Sequence, residues 1–436
     1  MAKKTISPGG HVTGVVELPG DKSISHRYAI LAALAEGRSE ILNYSTAADC
    51  RSTLDCLRRL GIVVEANRER VRIGGAGLEG LKAPQRALDA ENSGSTMRML
   101  AGVLAGQRFT STITGDASLR RRPMKRVAEP LRRMGAEIRG RDGDLAPLEI
   151  HGGNLHAIDY ALPVPSAQVK SAILLAGLYA KGATTVRESV RTRDHTELAL
   201  REFGATIETA KDSVRIHPLP KLQPRQLTVP GDLSAGVFLA CAALILPESS
   251  LMFHNVGLNP TRARVLDFLI SMGAQINLAS VQLRDGELVG DLSVRHSPIS
   301  GGTVAGAQVA EMIDELPMLA ALGPYTEKGI EVHGAQELRV KESDRIATLA
   351  AGLRQMGAQV EEFSDGLRVA GRSAGRLRGA KVDPQGDHRI AMALAVAALG
   401  AEGDTVIRDA ECVGVSFPEF FATLDRLRGA EVPEKD

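Results

Sequence analysis

Several short polar phrases in this chain run straight into apolar stretches, and these are the places where it could do chemistry. In Asp21-Lys22-Ser23-Ile24-Ser25-His26-Arg27, a lysine, a serine and an arginine precede YAILAALA. Ser23 and Arg27 are four apart and share a helix face. Asn92-Ser93-Gly94-Ser95-Thr96-Met97-Arg98 puts a glycine and three hydroxyls at a second such mouth. Lys341 and Arg345 are again four apart in RVKESDR, and Asp387-His388-Arg389 leads into IAMALAVAALG. A helix N-terminus carries unpaired N–H groups and partial positive charge, so cations placed there build sites for phosphates and carboxylates. Taken singly, each phrase reads as a cap beside a solvated charge. Their recurrence points to one shared anionic pocket.

Two further places stand out. Residues 115–126 carry five basic side chains, most of them read as a solvated face, with Arg122 singled out because Pro123 stiffens the backbone after it. Asp314 and Glu315 interrupt the apolar run 312–322. They read either as simple caps or as acid/base groups facing the cations.

The elements that must position these groups repeat. LRRLGIVVEA, LRRMGAEIRG, LREFGATIET, LISMGAQINL, LRQMGAQVEE and, more weakly, LDRLRGAEV centre on Gly61, Gly135, Gly204, Gly273, Gly357 and Gly429. Each reads as an amphipathic helix closed by a glycine able to take positive φ, followed by a strand. The polar helix openings at Asp21, Asn92, Pro165, Asp232, Asp314 and Asp387 alternate with them at the same period of about seventy residues. Two phrases sharing one period predict an α/β protein with sixfold internal repetition. VELPGDKSISHR resembles LTVPGDLSAG, and these matching Pro-Gly-Asp turns divide the chain. The division predicts a discontinuous domain of residues 1–20 plus 231–436 and an inserted domain of residues 21–230, three units each.

Composition narrows the function. The 436 residues hold 53 Lys and Arg against 52 Asp and Glu, with 3% aromatics and no Trp. That excludes a general basic field or a stacking platform for nucleic acid. Four scattered cysteines make neither a disulfide framework nor a CxxC metal site. The polar start and the absence of an apolar run near 20 residues predict a cytoplasmic protein without a membrane span. Residues 75–80 match GxGxxG after a strand-like run, but Leu81-Lys82-Ala83-Pro84 replaces the helix that dinucleotide binding needs. No GxxxxGK loop or HExxH motif occurs, so phosphate recognition falls to side chains and helix ends.

PGDKSISHR, NSGSTMR, RRPM, SAQ, RDHTE, IDELP, RVKESDR and GDHR, in this order, resemble the 5-enolpyruvylshikimate-3-phosphate synthases of the enolpyruvyl transferase family. The resemblance covers residues 19–418. It implies an inside-out α/β barrel fold of six βαβαββ repeats, three per domain, with the active site in the cleft between the domains. The implied reaction moves the enolpyruvyl group of phosphoenolpyruvate to the 5-hydroxyl of shikimate 3-phosphate and releases phosphate, without metal or organic cofactor. It further implies a monomer whose partners are these two small anions, not nucleic acid or membrane.

Carried over by motif, Lys22, Ser23, Arg27, Ser166, Ala167, Gln168, Arg193, Asp314 and Lys341 would hold shikimate 3-phosphate. Lys22, Gly94, Arg122, Gln168, Arg345 and Arg389 would hold phosphoenolpyruvate. Asp314 would be the base at the 5-hydroxyl, with Glu342 and Lys22 sharing proton transfer. Three departures stand out. Many members carry NAGTAMRP where this chain has NSGSTMRM, which changes the surroundings of Gly94 at Thr96 and Met99. Val415 stands where one branch has a phosphoenolpyruvate-binding lysine. RDHTE and SAQVKS resemble the other branch, known for glyphosate-tolerant members, while Gly94 leaves room for that inhibitor. Two rivals are a sister enzyme acting on UDP-N-acetylglucosamine and a non-catalytic anion-binding scaffold. The sister typically carries a cysteine in the loop matching 115–125, and this chain has none there. The joint presence of Lys22, Asp314, Glu342 and Arg345 speaks against the scaffold.

Overall fold

Two kinds of helix alternate along the chain, and their sequences explain why. In the computed structural model, which describes residues 2–67, 70–218 and 221–429, the helices Lys22–Leu34, Gly94–Ala105, Ala167–Gly177, Leu233–Ile245, Leu316–Ala321 and His388–Ala398 are almost wholly buried. They are rich in Ala, Leu and Gly, and a helix apolar all round must be enclosed. Small residues let the helices meet closely. A Cβ on Gly102 would lie 2.2 Å from the Ala172 carbonyl oxygen of the neighbouring helix. The second kind, such as Ala48–Arg59, Lys125–Arg133 and Arg264–Ser271, buries one face and turns Arg, Lys or Asp outward.

Each amphipathic helix ends in the way its glycine predicts. Gly61, Gly135, Gly204, Gly273, Gly357 and Gly429 all take positive φ, between 73° and 108°. In that conformation a glycine lets the chain leave the helix without a Cβ clash. Strands Val63–Ala66, Glu137–Arg141, Ile207–Thr209, Gln275–Arg284 and Val360–Phe363 follow the first five. The strand expected after Gly429 lies outside the described residues.

The sheets repeat one plan. Leu88–Asp89 runs parallel to Thr110–Thr114, which is antiparallel to Leu145–His151, itself paired with Glu137–Arg141. The same order recurs from Asp159–Ala161 to Ser213–Ile216 and from Gly302–Val304 to Gly366–Val369. In two other four-stranded sheets, the first strand comes from a distant part of the chain. Gln226–Thr228 lies parallel to Glu36–Leu42, and Thr13–Val16 parallel to Ser250–Gly257. A three-stranded sheet joins Lys4–Ile6, Thr405–Ile407 and Lys381–Val382. The protein is thus a two-domain α/β fold of repeated βαβ-like units.

These long-range pairings give a discontinuous unit, Met1–Pro19, Pro230–Gln282 and Leu288–Asp436, and an inserted unit, Gly20–Val229 with Leu283–Glu287. Each has its own hydrophobic core. The changeovers at 19/20 and 229/230 fall within one residue of the Pro-Gly-Asp turns. The short segment Leu283–Glu287 differs from the sequence reading, which placed it with residues 231–436. Contacts inside the inserted unit account for it. Tyr28 donates to the Asp285 carbonyl at 3.1 Å, Thr228 N–H donates to Asp285 Oδ2 at 2.7 Å, and His195 Nδ1 lies 2.6 Å from Glu287 Oε1. Seventy-residue periodicity carries no trace of such a segment. Among the described residues, no helix is long and apolar enough to cross a membrane.

Candidate active site

The buried helices of the inserted unit begin at polar mouths. Asp21 caps the helix Lys22–Leu34 by accepting from Ile24 N–H at 2.9 Å, Ser93 caps Gly94–Ala105 through Thr96 N–H at 3.1 Å, and Ser166 caps Ala167–Gly177 through Val169 N–H at 3.4 Å. Capping satisfies one orphan donor at each mouth and leaves charge to be carried by the neighbouring side chains. Lys22, first in its helix, pairs with Asp49 at 2.9 Å. Arg27, one turn after Ser23, is buried, and each of its three nitrogens donates once. It donates to the Ser23 carbonyl at 2.8 Å, to Thr196 Oγ1 at 2.6 Å and to Ser171 Oγ at 2.9 Å. Burial pushes the Arg27 guanidinium down to about 10, with Glu197 opposing the shift and Arg193 adding to it. It therefore stays cationic at neutral pH. Arg193 is half-buried in the loop before the helix His195–Glu202, close enough to Arg27 for the two charges to repel.

Gly94 sits between two guanidiniums. A Cβ there would stand 2.5 Å from Arg98 Nη1 and 3.3 Å from Arg122 Nη1. Arg98 donates to Gln168 Oε1 at 2.5 Å, Gln168 donates to Ser95 Oγ at 2.9 Å, and Arg122 donates to Asn92 Oδ1 at 3.1 Å. Arg122 has extended backbone after the short helix Leu119–Arg121. The structure thus places Arg122, and Arg98 with its bond to Gln168, on either side of Gly94. Ala167 is the first helical residue beside Ser166. Arg98, Asp49, Ser171 and Thr196 were not singled out from sequence. Only Arg98, one helical turn after Gly94, had a signal that could have found it.

The discontinuous unit assembles the remaining groups around a carboxylate. Asp314 lies 3.6 Å from Arg345, 3.8 Å from Arg262 and 3.9 Å from Arg389, and its carbonyl accepts from Arg389 Nη1 at 2.7 Å. Arg345 is buried, with Nε donating to Asp387 at 2.8 Å and Nη2 to Glu342 at 2.6 Å. Burial alone would lower its pKa, but Asp387, Glu342 and Asp314 outweigh burial and hold it above the ordinary arginine value. Arg389 also donates to Ser234 Oγ at 2.8 Å, and Ser234 in turn donates to the buried Glu315. Desolvation pushes Lys341 down to about 8, with Asp314 working against the shift and Arg345 with it.

Two local expectations change. Lys341 and Arg345 do not share a helix face: Lys341 follows the short helix Gln336–Val340 in extended backbone, and the next helix begins at Arg345 with Asp344 as its cap. Neither Asp314 nor Glu315 caps a helix. Glu315 occupies the position before Leu316–Ala321 without a side-chain cap bond and bonds to Ser234 instead. Arg262, buried, had no sequence signal, because it meets the site only through folding, whereas the buried Ser234 stands after its Pro-Gly-Asp turn where Ser23 stands after the other, a signal that could have found it.

Chemically, the inserted unit offers buried cations and hydroxyls suited to dianions. The discontinuous unit offers a carboxylate held among guanidiniums, beside a lysine that titrates near neutrality. Comparison with known proteins gives the family. The family EPSP synthase (3-phosphoshikimate 1-carboxyvinyltransferase) matches residues 6–424. A 3-phosphoshikimate 1-carboxyvinyltransferase of Solibacter usitatus is 54% identical over 97% of this chain and 99% of its own. An EPSP synthase structure from Acinetobacter baumannii superposes with a TM-score of 0.86 at 39% identity, covering 98% of both chains. The enolpyruvyl transferase NikO of Streptomyces tendae shares the fold at 20% identity, with a TM-score of 0.77 over 98% of this chain and 97% of its own. Matched along nearly its whole length, this chain belongs to the EPSP synthase family.

Proposed function

We propose that this chain transfers the enolpyruvyl group of phosphoenolpyruvate to the 5-hydroxyl of shikimate 3-phosphate. The observation that carries the reading is Asp314, a carboxylate ringed by Arg262, Arg345 and Arg389. A carboxylate so placed can take a proton from a hydroxyl, and the guanidiniums around it can stabilise charge that develops on the substrate. The 5-oxygen attacks C2 of phosphoenolpyruvate while C3 gains a proton, giving a tetrahedral adduct. The bond from C2 to the phosphate oxygen then breaks, C3 loses a proton, and phosphate leaves as the double bond re-forms.

Roles divide by chemistry. Lys22, Ser23, Arg27, Ser166, Ala167, Gln168 and Arg193 hold shikimate 3-phosphate, with Lys341 at its 5-hydroxyl side. Arg122, Arg345 and Arg389 clamp phosphoenolpyruvate, with Lys22 and Gln168 reaching it and Gly94 leaving it room. Glu342, bonded to Arg345, serves proton transfer at C3, with Lys22 as the remaining candidate. The finer architecture goes with this reading: inside-out barrels of six βαβαββ repeats, and a monomeric cytoplasmic enzyme. Incubation with both substrates tests it by phosphate release. No release with shikimate 3-phosphate would refute the proposal, and turnover of UDP-N-acetylglucosamine instead would favour the sister activity.

A further inference from the structure

Lys170 is the one lysine among the described residues with a fully buried side chain, and no step above uses it. Its ammonium lies 2.8 Å from Glu188 Oε2 and 2.7 Å from Glu197 Oε1, and it donates to the Thr192 carbonyl at 3.3 Å. Glu188 also accepts from Thr192, from its N–H at 3.3 Å and from its hydroxyl. These partners mark the start, middle and end of residues 188–197, which comprise the loop 188–194 after the strand Thr184–Arg187 and the first turn of the helix His195–Glu202. Arg193 stands within that span. Thr196, next to Glu197, accepts from Arg27 and lies 2.6 Å from Ser171 Oγ. Lys170 and Ser171 belong to the helix that opens with Ser166 and Gln168.

A buried ion cluster contributes little net stability, because desolvation offsets the Coulomb attraction. Its geometric effect is larger: one ammonium with three acceptors allows the loop a single arrangement. Burial pushes the Glu197 carboxyl up, and Lys170 opposes that shift. Glu197 acts electrostatically on Arg27, supporting its charge. We infer that Lys170 is a positioning residue for substrate, holding residues 188–197 so that Arg193 and the Thr196–Arg27 contact stand ready for the phosphate of shikimate 3-phosphate. This rests on the proposed role of Arg193 and deepens it, since the site then includes a buried support that touches no ligand.

Lys170→Met keeps the length of the side chain and removes the ammonium, leaving two buried carboxylates without their cation. In the full-length enzyme, the KM for shikimate 3-phosphate should rise about tenfold or more, with the KM for phosphoenolpyruvate changed by less than about twofold. A residue that only supports folding would lower activity in proportion to the folded fraction and leave both KM values alone. Arg193→Gln is the control. If it leaves the KM for shikimate 3-phosphate unchanged, the site reading fails whatever Lys170 does. If it raises that KM while Lys170→Met does not, or if Lys170→Met raises both KM values equally, the positioning role is overturned. In the double variant, the rise should fall short of the product of the two single effects, because Arg193 carries part of the action of Lys170, whereas fully independent, multiplying effects would refute action through Arg193. Should Lys170→Met not fold, Glu188→Gln, which removes one charge and turns one of the two accepting oxygens into a donor, should raise the same KM by about threefold. An unchanged KM in that folded variant overturns the inference.

Discussion

Replacing Gly94 with alanine adds one methyl where two guanidiniums already crowd the backbone. The new Cβ would sit 2.5 Å from Arg98 Nη1 and 3.3 Å from Arg122 Nη1. The first distance is impossible, so Arg98 must move, although its Nη1 is tied to Gln168 at 2.5 Å. A hydrogen bond from a charged group is worth about 1.5–3 kcal/mol. Alanine recovers about 0.5–1 kcal/mol because it loses less backbone freedom in a helix. Folding should therefore weaken by about 0.5–2.5 kcal/mol, which a stable two-domain protein survives. Binding bears the larger effect. If the methyl and the displaced guanidinium remove one charge-assisted contact to phosphoenolpyruvate, its KM rises about 10- to 100-fold. The KM for shikimate 3-phosphate should rise less, because Lys22, Ser23 and Arg27 are untouched and only Gln168 loses its bond from Arg98. Phosphate release with each substrate varied in turn, beside thermal unfolding, measures both effects. A folded variant with an unchanged KM for phosphoenolpyruvate, or with equal rises for both substrates, would refute the assignment of Gly94 to that site.

Other outcomes follow from the same geometry. Lys341, pushed down to about 8, should lose its charge as pH rises through that value. The kcat/KM for shikimate 3-phosphate should then fall above about pH 8, and Lys341→Arg should remove that limb. A profile in which Lys341→Arg leaves the limb in place would exclude Lys341 as its origin. His26 is buried, and burial, followed by Lys22 and Arg27, holds its pKa well below 6.5. The unfolded chain therefore binds the extra proton first, so the stability His26 contributes is present above pH 6.5 and lost as pH falls below it. His26→Gln should flatten the thermal midpoint between pH 7 and pH 5 relative to the parent, and parallel curves would contradict this. Gly357 has φ of +88°, and a Cβ added there would meet nothing within 4 Å. Gly357→Ala should cost only the left-handed backbone penalty, about 1–2 kcal/mol, with kcat unchanged. Denaturant unfolding reads it, and a cost near zero would remove the capping role.

Sequence and structure divide the information according to distance along the chain. The six helix-ending glycines, the polar mouths and their common period are local features. A positive φ, a cap and an amphipathic face each depend on residues within a turn or two, so they were legible directly. The motifs carrying Lys22, Gly94, Arg122, Asp314, Arg345 and Arg389 were legible for the same reason, being contiguous phrases at helix ends. The local geometry of Lys341 was not, because a spacing of four residues implies a shared face only where the helix is continuous, and here the helix starts at Arg345.

The partners of these residues were decided by folding alone. Arg345 meets Asp387 across 42 residues, Gln168 meets Arg98 across 70, and His195 meets Glu287 across 92. No local pattern encodes such pairs, because each depends on which helix ends and strands the fold brings side by side. The strands Thr13–Val16 and Gln226–Thr228 show this most directly. Local sequence makes each a strand, but the neighbour each joins is chosen by which sheet edge would otherwise leave its backbone unpaired. Sequence by itself determined the elements and the chemistry at their ends. The tertiary structure decided which charges are buried, which are paired and which lysine is held rigid, because desolvation and ion pairing depend on neighbours brought together only in the folded chain.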